Sequence, residues 1–171
     1  MPPYLRKFAL TLHVTCSVGL LGAITAFLAL AVGGLIAQDA QTVRAAYPAM
    51  QVIARWVVVP LTIASLLTGL VQSLGTPWGL FRHYWVLIKL LLTLFAATVL
   101  LLKIPLIDHA ARLATETSLP YVALREAGAQ LVGHATGGLC VLLAPVVLSI
   151  YKPQGTTRYG WRKQFEQRLQ S

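Results

Sequence analysis

Four stretches of this chain are too long and too apolar to sit uncovered in water. Residues 8–36 and 127–151 contain no Asp, Glu, Lys or Arg, 52–74 carries Arg55 alone, and 84–106 carries only Lys89 and Lys103. A bilayer hydrocarbon core of about 30 Å is crossed by about 20 mainly apolar residues in a helix. Each stretch meets that length. Inside lipid every backbone N–H and C=O must be satisfied within the segment, which leaves helices for runs of this kind.

The composition agrees: 57% of the 171 residues are hydrophobic and 11% charged, and the mean hydropathy is +0.70. The formal net charge of +9 would point to nucleic acid in a water-soluble chain. Here the cations cluster at the ends of apolar runs, where they set orientation and meet anionic lipid, and nucleic acid is not an expected partner. The partner that composition demands is the lipid bilayer. Cys16 and Cys140 lie inside apolar stretches without a Cys-x-x-Cys spacing, and read as small buried hydrophobes. Arg6 and Lys7 before an apolar run resemble a signal peptide, but a run uncharged to Asp39 is too long for a cleaved segment and reads as a retained first span.

The expected fold is all-α, an up-down transmembrane four-helix bundle in one membrane domain over residues 1–151, with a basic tail over 152–171. A tight turn at 75–79, marked by Gly75, Pro77 and Gly79, joins the second and third spans. Two longer connections, 38–51 and 107–126, are expected at the other end. With the N-terminus inside, Arg6, Lys7, Arg82, Lys152, Arg158, Arg162, Lys163 and Arg168 face the cytoplasm, against Arg44, Arg55, Lys103, Arg112 and Arg125 outside. That bias predicts a multi-pass protein of the bacterial inner membrane with both termini cytoplasmic. Trp56, Trp78, Trp85 and Trp161 fall near span ends, as interfacial anchors do.

Within the spans the polar residues are few enough to be read singly. Small residues at Gly19, Gly22, Ala23, Ala26 and Gly33 line one side of span 1 and allow close packing or a flat prosthetic group. Span 2 carries Thr62, Ser65, Gly69, Gln72 and Ser73 at helical spacing, a stripe that belongs inside the bundle, with Pro60 as a kink point before it. Span 4 repeats the theme with Gln130, His134, Gly137 and Gly138. An ionisable residue such as Lys89 at membrane depth is a functional hypothesis by default, unless its stem reaches back to the headgroups.

Converting position to depth at 1.5 Å per residue sorts these groups into two layers. His13, Lys89 and Gln72 come to one inner depth, with Ser17 on the face of His13 and His83 at the lip. His134 and His109 form an outer pair that cannot meet His13. Haem b needs one or two neutral nitrogen ligands on facing helices with room for a flat ring, which suits either layer. Copper or zinc sites gather three or four ligands, more than either layer holds. Ordinary alternatives stand beside these: His83 as an interfacial residue, His109 as a solvated one, and a proton relay without metal.

The stretches His13-Val14-Thr15-Cys16-Ser17-Val18-Gly19-Leu20-Leu21-Gly22, Trp78 through Leu90 and Tyr151 through Gly160 resemble an uncharacterised family of small four-span bacterial membrane proteins. More distantly, the His13 to Gly22 spacing and a lysine early in span 3 resemble the HemJ-type protoporphyrinogen oxidases and the CopD-like copper-resistance membrane proteins. In the HemJ type a span 1 histidine and a span 3 lysine are implicated in haem-linked function, and His13 and Lys89 match them. Leu20 stands where that pattern usually has tryptophan. The resemblance favours haem b through His13 and Lys89; with the two layers read from depth, the expectation is one haem or two, with His13 and either Lys89 or His83 at the inner layer and His134 at the outer one. The expected role is electron transfer or a haem-linked redox step with a redox partner or quinone. The alternative is a cofactor-free membrane protein that handles a small ligand, copper or a protein partner.

Overall fold

A computed structural model of the protein describes residues 2–75, 83–116 and 118–151, with Gly155, Thr157, Trp161, Arg162 and Leu169 beyond them. Helix α1 spans Pro3–Ile36. Helix α2, Ala40–Ile53, runs through a π turn at Ala54–Val58 into α3, Val59–Gly75. Helices α4, Tyr84–Ala114, and α5, Tyr121–Tyr151, complete a bundle of four rods, each long and apolar enough to cross a membrane. Helix α1 packs on α3 and α5, and α4 on α5 and α3, so chain neighbours are spatial neighbours and α1 lies diagonal to α4. This is the antiparallel up-down arrangement that short connections impose.

The end of the bundle remote from the N-terminus, called outer here after the charge bias, is more helical than the sequence suggests. The expected connection 38–51 is mostly α2, and 107–126 shrinks to the residues between Ala114 and Tyr121. Polar residues disguised both segments. Asp39 caps α2 by accepting a hydrogen bond from the Thr42 N–H at 2.7 Å, and the apolar face of that helix, Val43, Ala46, Tyr47 and Met50, is buried. The cap satisfies one of the orphan donors of a helix start. That bond also holds the Asp39 carboxyl below the usual carboxylate range. The turn expected at 75–79 lies outside the described residues, apart from Gly75 at the end of α3, as does most of the tail.

The core occupies the outer half. Phe27 and Ala31 of α1, Tyr47 and Met50 of α2, Ile107 and Ala110 of α4, and Leu124, Ala127 and Leu131 of α5 form one buried cluster. Tyr47, 1% exposed, donates its hydroxyl to the Leu124 carbonyl at 3.0 Å and so ties α2 to α5. Glycine makes this possible. A Cβ on Gly128 would stand 2.5 Å from the Tyr47 hydroxyl, and one on Gly34 would stand 3.2 Å from both its ring and Ala46. Close packing therefore falls on Gly34 and Gly128. Of the expected span 1 stripe, Gly19 touches Leu61, whereas a Cβ on Gly22 or Gly33 would meet nothing within 4 Å. Asp108 of α4 adds a polar clasp, accepting from Gln51 at 2.8 Å and pairing with Arg55.

Outside this core the bundle turns large apolar side chains outward, Leu67, Leu91, Phe95 and Leu102 among them, and these meet hydrocarbon. Hydroxyls on outward faces return to their own helix: Thr25 donates to the Leu21 carbonyl and Thr98 to that of Leu94. Trp56 is 76% exposed, as an anchor should be, but Trp85 is only 8% exposed and belongs to the interior. Cys16 is buried on α1, while Cys140 is exposed on α5.

Two stability measurements in detergent follow. Gly128→Ala should cost about 1–3 kcal/mol, the usual penalty of forcing a methyl into a packed site, and lower the melting temperature, whereas Gly22→Ala should not destabilise. Asp39→Ala should also lower the melting temperature near neutral pH. Because the folded-state value for Asp39 is depressed, its contribution is present above the ordinary carboxylate value and fades as pH falls through the lowered one. The two melting curves should therefore converge in acid.

Candidate functional site

Two polar layers sit at different depths, as the spacing predicts, and they are built differently. In the inner layer, α1 presents His13 and Ser17 to the hydroxyl-rich face of α3. His13 Nδ1 lies 3.2 Å from the Ser65 carbonyl and 3.1 Å from Thr68 Oγ1. Thr68 already donates to the Ala64 carbonyl at 2.6 Å, and a carbonyl only accepts, so Nδ1 carries the proton and Nε2 keeps its lone pair. Ser17 and Ser65 share a hydroxyl bond of 3.0 Å. Gly69 gives the imidazole its place: a Cβ there would stand 3.0 Å from His13 Cε1. The ring fills a notch between two helices.

Lys89 of α4 lies at the same end of the bundle, against α5. Its Nζ donates to Ser149 Oγ of α5 at 2.8 Å and lies 4.9 Å from the centre of the Trp85 ring. Ser149 in turn donates its hydroxyl to the Pro145 carbonyl. The ammonium is thus held by a hydroxyl and an aromatic face. Gln72, expected at the same depth, hydrogen-bonds to neither His13 nor Lys89, and its Nε2 is buried without a partner. His83 caps the start of α4 with its backbone carbonyl, its ring tilted 6.2 Å from that of Trp85. Of the expected inner set, His13 and Ser17 meet α3 side by side, Lys89 is bound to α5 instead, and His83 sits at the start of α4.

The outer layer contains space. A cavity of about 430 Å³ lies beneath the packed core, walled by Phe27 of α1, Ala54 and Val58 of the π turn, Thr62 of α3, Lys103 and Ile107 of α4, and His134 with its neighbours on α5. Its size is that of a small-molecule or cofactor pocket, about 300–1,000 Å³, and its walls are almost wholly apolar. On α5 the lining includes Gly133, Gly137 and Gly138, where an added Cβ would meet nothing within 4 Å. His134 Nδ1 lies 2.6 Å from the Gln130 carbonyl, one helical turn back. Again the carbonyl can only accept, so Nδ1 is the donor and Nε2 is the basic nitrogen. A histidine whose Nδ1–H is fixed by a backbone carbonyl is oriented as metal-binding histidines commonly are.

No family model, curated protein or solved structure matches this chain.

The other expected member of the outer pair, His109, lies within α4 and is exposed, and it does not line the cavity. Its place is taken by Lys103, which in the sequence counts only toward the outer charge bias. Depth would have found it: Lys103 lies about 16 Å below the outer end of α4 and His134 about 20 Å below that of α5, at 1.5 Å per residue. Gln130, expected as a supporting polar side chain, contributes its backbone carbonyl. Among the described residues no group of three or more His, Cys, Asp or Glu side chains converges, so the layers offer single nitrogen donors.

The two histidines should differ in mutants. His13→Ala leaves the Thr68 and Ser65 acceptors without their donor and opens the α1–α3 seam, and should cost about 1–3 kcal/mol. His134→Ala, which enlarges an existing cavity, should destabilise less. Thermal denaturation of both variants in one detergent checks the order.

Proposed function

We propose that this chain is a haem b protein of the bacterial inner membrane, with both termini cytoplasmic, and that it serves one-electron transfer or a haem-linked redox step. The observation that carries the reading is His134, held by the Gln130 carbonyl in the tautomer that leaves Nε2 basic, on the wall of a glycine-lined apolar cavity. The cavity fits the group chemically: one imidazole for iron, small residues against which a flat ring can lie, and walls that exclude water. Bound there, haem would supply a one-electron couple. The protein's part is to hold the imidazole at a fixed angle, through a bond internal to α5, and to keep the surroundings of low polarity, which are the levers that set a haem potential.

The proposal moves the haem from the inner layer, where the resemblance to the HemJ type put it, to the outer one. His13 and Lys89 then have a different task. With Ser17, Ser65 and Ser149 they lock α1 to α3 and α4 to α5 at the inner end. The cytoplasmic placement of both termini rests on the excess of Lys and Arg at that end.

The test is spectroscopic. Protein purified in mild detergent after expression with ample haem should show a Soret band and, on reduction, an α band. Its absence would end the haem reading. His134→Ala should abolish the spectrum, and Gly137→Leu, which fills the space beside it, should weaken it severely, while His13→Ala should leave it in place. An unchanged spectrum in His134→Ala refutes the ligand assignment.

A further inference from the structure

The cavity holds one charge that nothing answers. Lys103 lines it, deep within α4, and among the described residues no carboxylate or hydrogen-bond acceptor pairs with it. The other intramembrane lysine, Lys89, has Ser149 and Trp85, and Arg55, farther out on the same bundle, has Asp108. A lone ammonium at membrane depth is costly, and such residues normally face a partner or a pathway. The walls around it are apolar. Together they describe complementarity to a molecule that is mostly hydrocarbon or ring but ends in an acidic group.

The shape of the opening says where such a molecule comes from. The walls given by α1, the π turn and α3 are closed by Phe27, Val58 and Thr62, all buried. On the α4–α5 side, Phe95 and the glycines at 133 and 137 line the cavity and are also exposed. These positions lie in the middle of their helices, so the gap faces hydrocarbon.

We propose that Lys103 anchors the acidic group of a lipid-borne amphiphile that enters the cavity sideways between α4 and α5, its apolar body lying along the glycine face of α5. The proposal deepens the haem reading, on which it rests for its first probe: haem b carries two propionates, and one of them meets Lys103. A charge-assisted pair in a dry site is among the strongest single contacts available to such a ligand.

The experiment titrates full-length protein in detergent with ferric haem b and with its dimethyl ester, which lacks the acidic groups, and follows the Soret band. Wild type should bind the free acid about tenfold more tightly than the ester, the scale of one charge-assisted bond. Lys103→Met should lose that preference and Lys103→Arg should retain it. Equal binding of acid and ester by wild type, or an undiminished preference in Lys103→Met, overturns the Lys103 anchor and leaves the haem reading standing. If the protein shifts the Soret band of neither compound, the haem reading fails and a photoactivatable long-chain fatty acid in phosphatidylcholine vesicles decides the anchor. Labelling of α4 and α5 peptides around the cavity that unlabelled fatty acid competes away, and that Lys103→Met abolishes, supports it. No labelling there, or labelling that ignores Lys103→Met, overturns it.

Discussion

Tyr47 laid over Gly34 and Gly128, its hydroxyl on the Leu124 carbonyl, fixes how three helices meet at the outer end of this bundle. Apolar side chains have little reason to leave lipid for one another, so helix association in a membrane depends on close contact and on hydrogen bonds. This residue supplies both. With α2 clamped to α1 and α5, and Asp108 joining α4 through Gln51 and Arg55, the outer third is packed tightly. The rods are then held apart below it by Phe27, Ile107 and Leu131 at the cavity roof, and the room left beneath is what His134 and Lys103 face.

The inner end is held by other means. Few large apolar residues are buried there, and the seams are hydroxyl groups: Ser17 to Ser65, His13 to Thr68, Lys89 to Ser149. His13 and His134 each carry a proton on Nδ1, donated to a backbone carbonyl, and both leave Nε2 basic. Environment divides their roles. The ring of His13 is pressed into the notch over Gly69, whereas that of His134 borders open space. The division is between a group used for packing and a group available to a ligand.

How much of this was legible beforehand follows from what each signal measures. Hydropathy and length established four spanning helices, and helical periodicity put Thr62, Ser65 and Ser73 inside, where they are. Depth by residue count separated His13 from His134 correctly, because rise along a helix is nearly constant. Rotation about each helix axis was not available in the same way. Whether Lys103 or His109 shares the depth of His134 could be counted, but which of them turns inward depends on packing. Likewise Gly34 and Gly128 look no different in the chain from Gly22 and Gly33; it is Tyr47, with Ala46 and Leu35 beside it, that makes the first two necessary. The helix α2 was hidden because its exposed face is polar, as befits a segment near the membrane surface.

The π turn at Ala54–Val58 carries a consequence for how the second rod presents itself. Met50, Ala54, Val58 and Thr62 are all buried on one side, each four residues from the last. In an unbroken α-helix, at about 100° per residue, Thr62 would lie about 120° round from Met50 and would face lipid. The wider turn, closed by the Val59 N–H on the Ala54 carbonyl and ending just before Pro60, takes up about one residue and brings Thr62 back to within about 20°. Straightening that turn into regular α-helix with every residue kept would leave the composition of the rod unchanged, yet it would swing the hydroxyl face of α3 away from His13 and out of the cavity wall. The alignment of the two polar layers is therefore a matter of phase along one helix, set by one local widening of its turn.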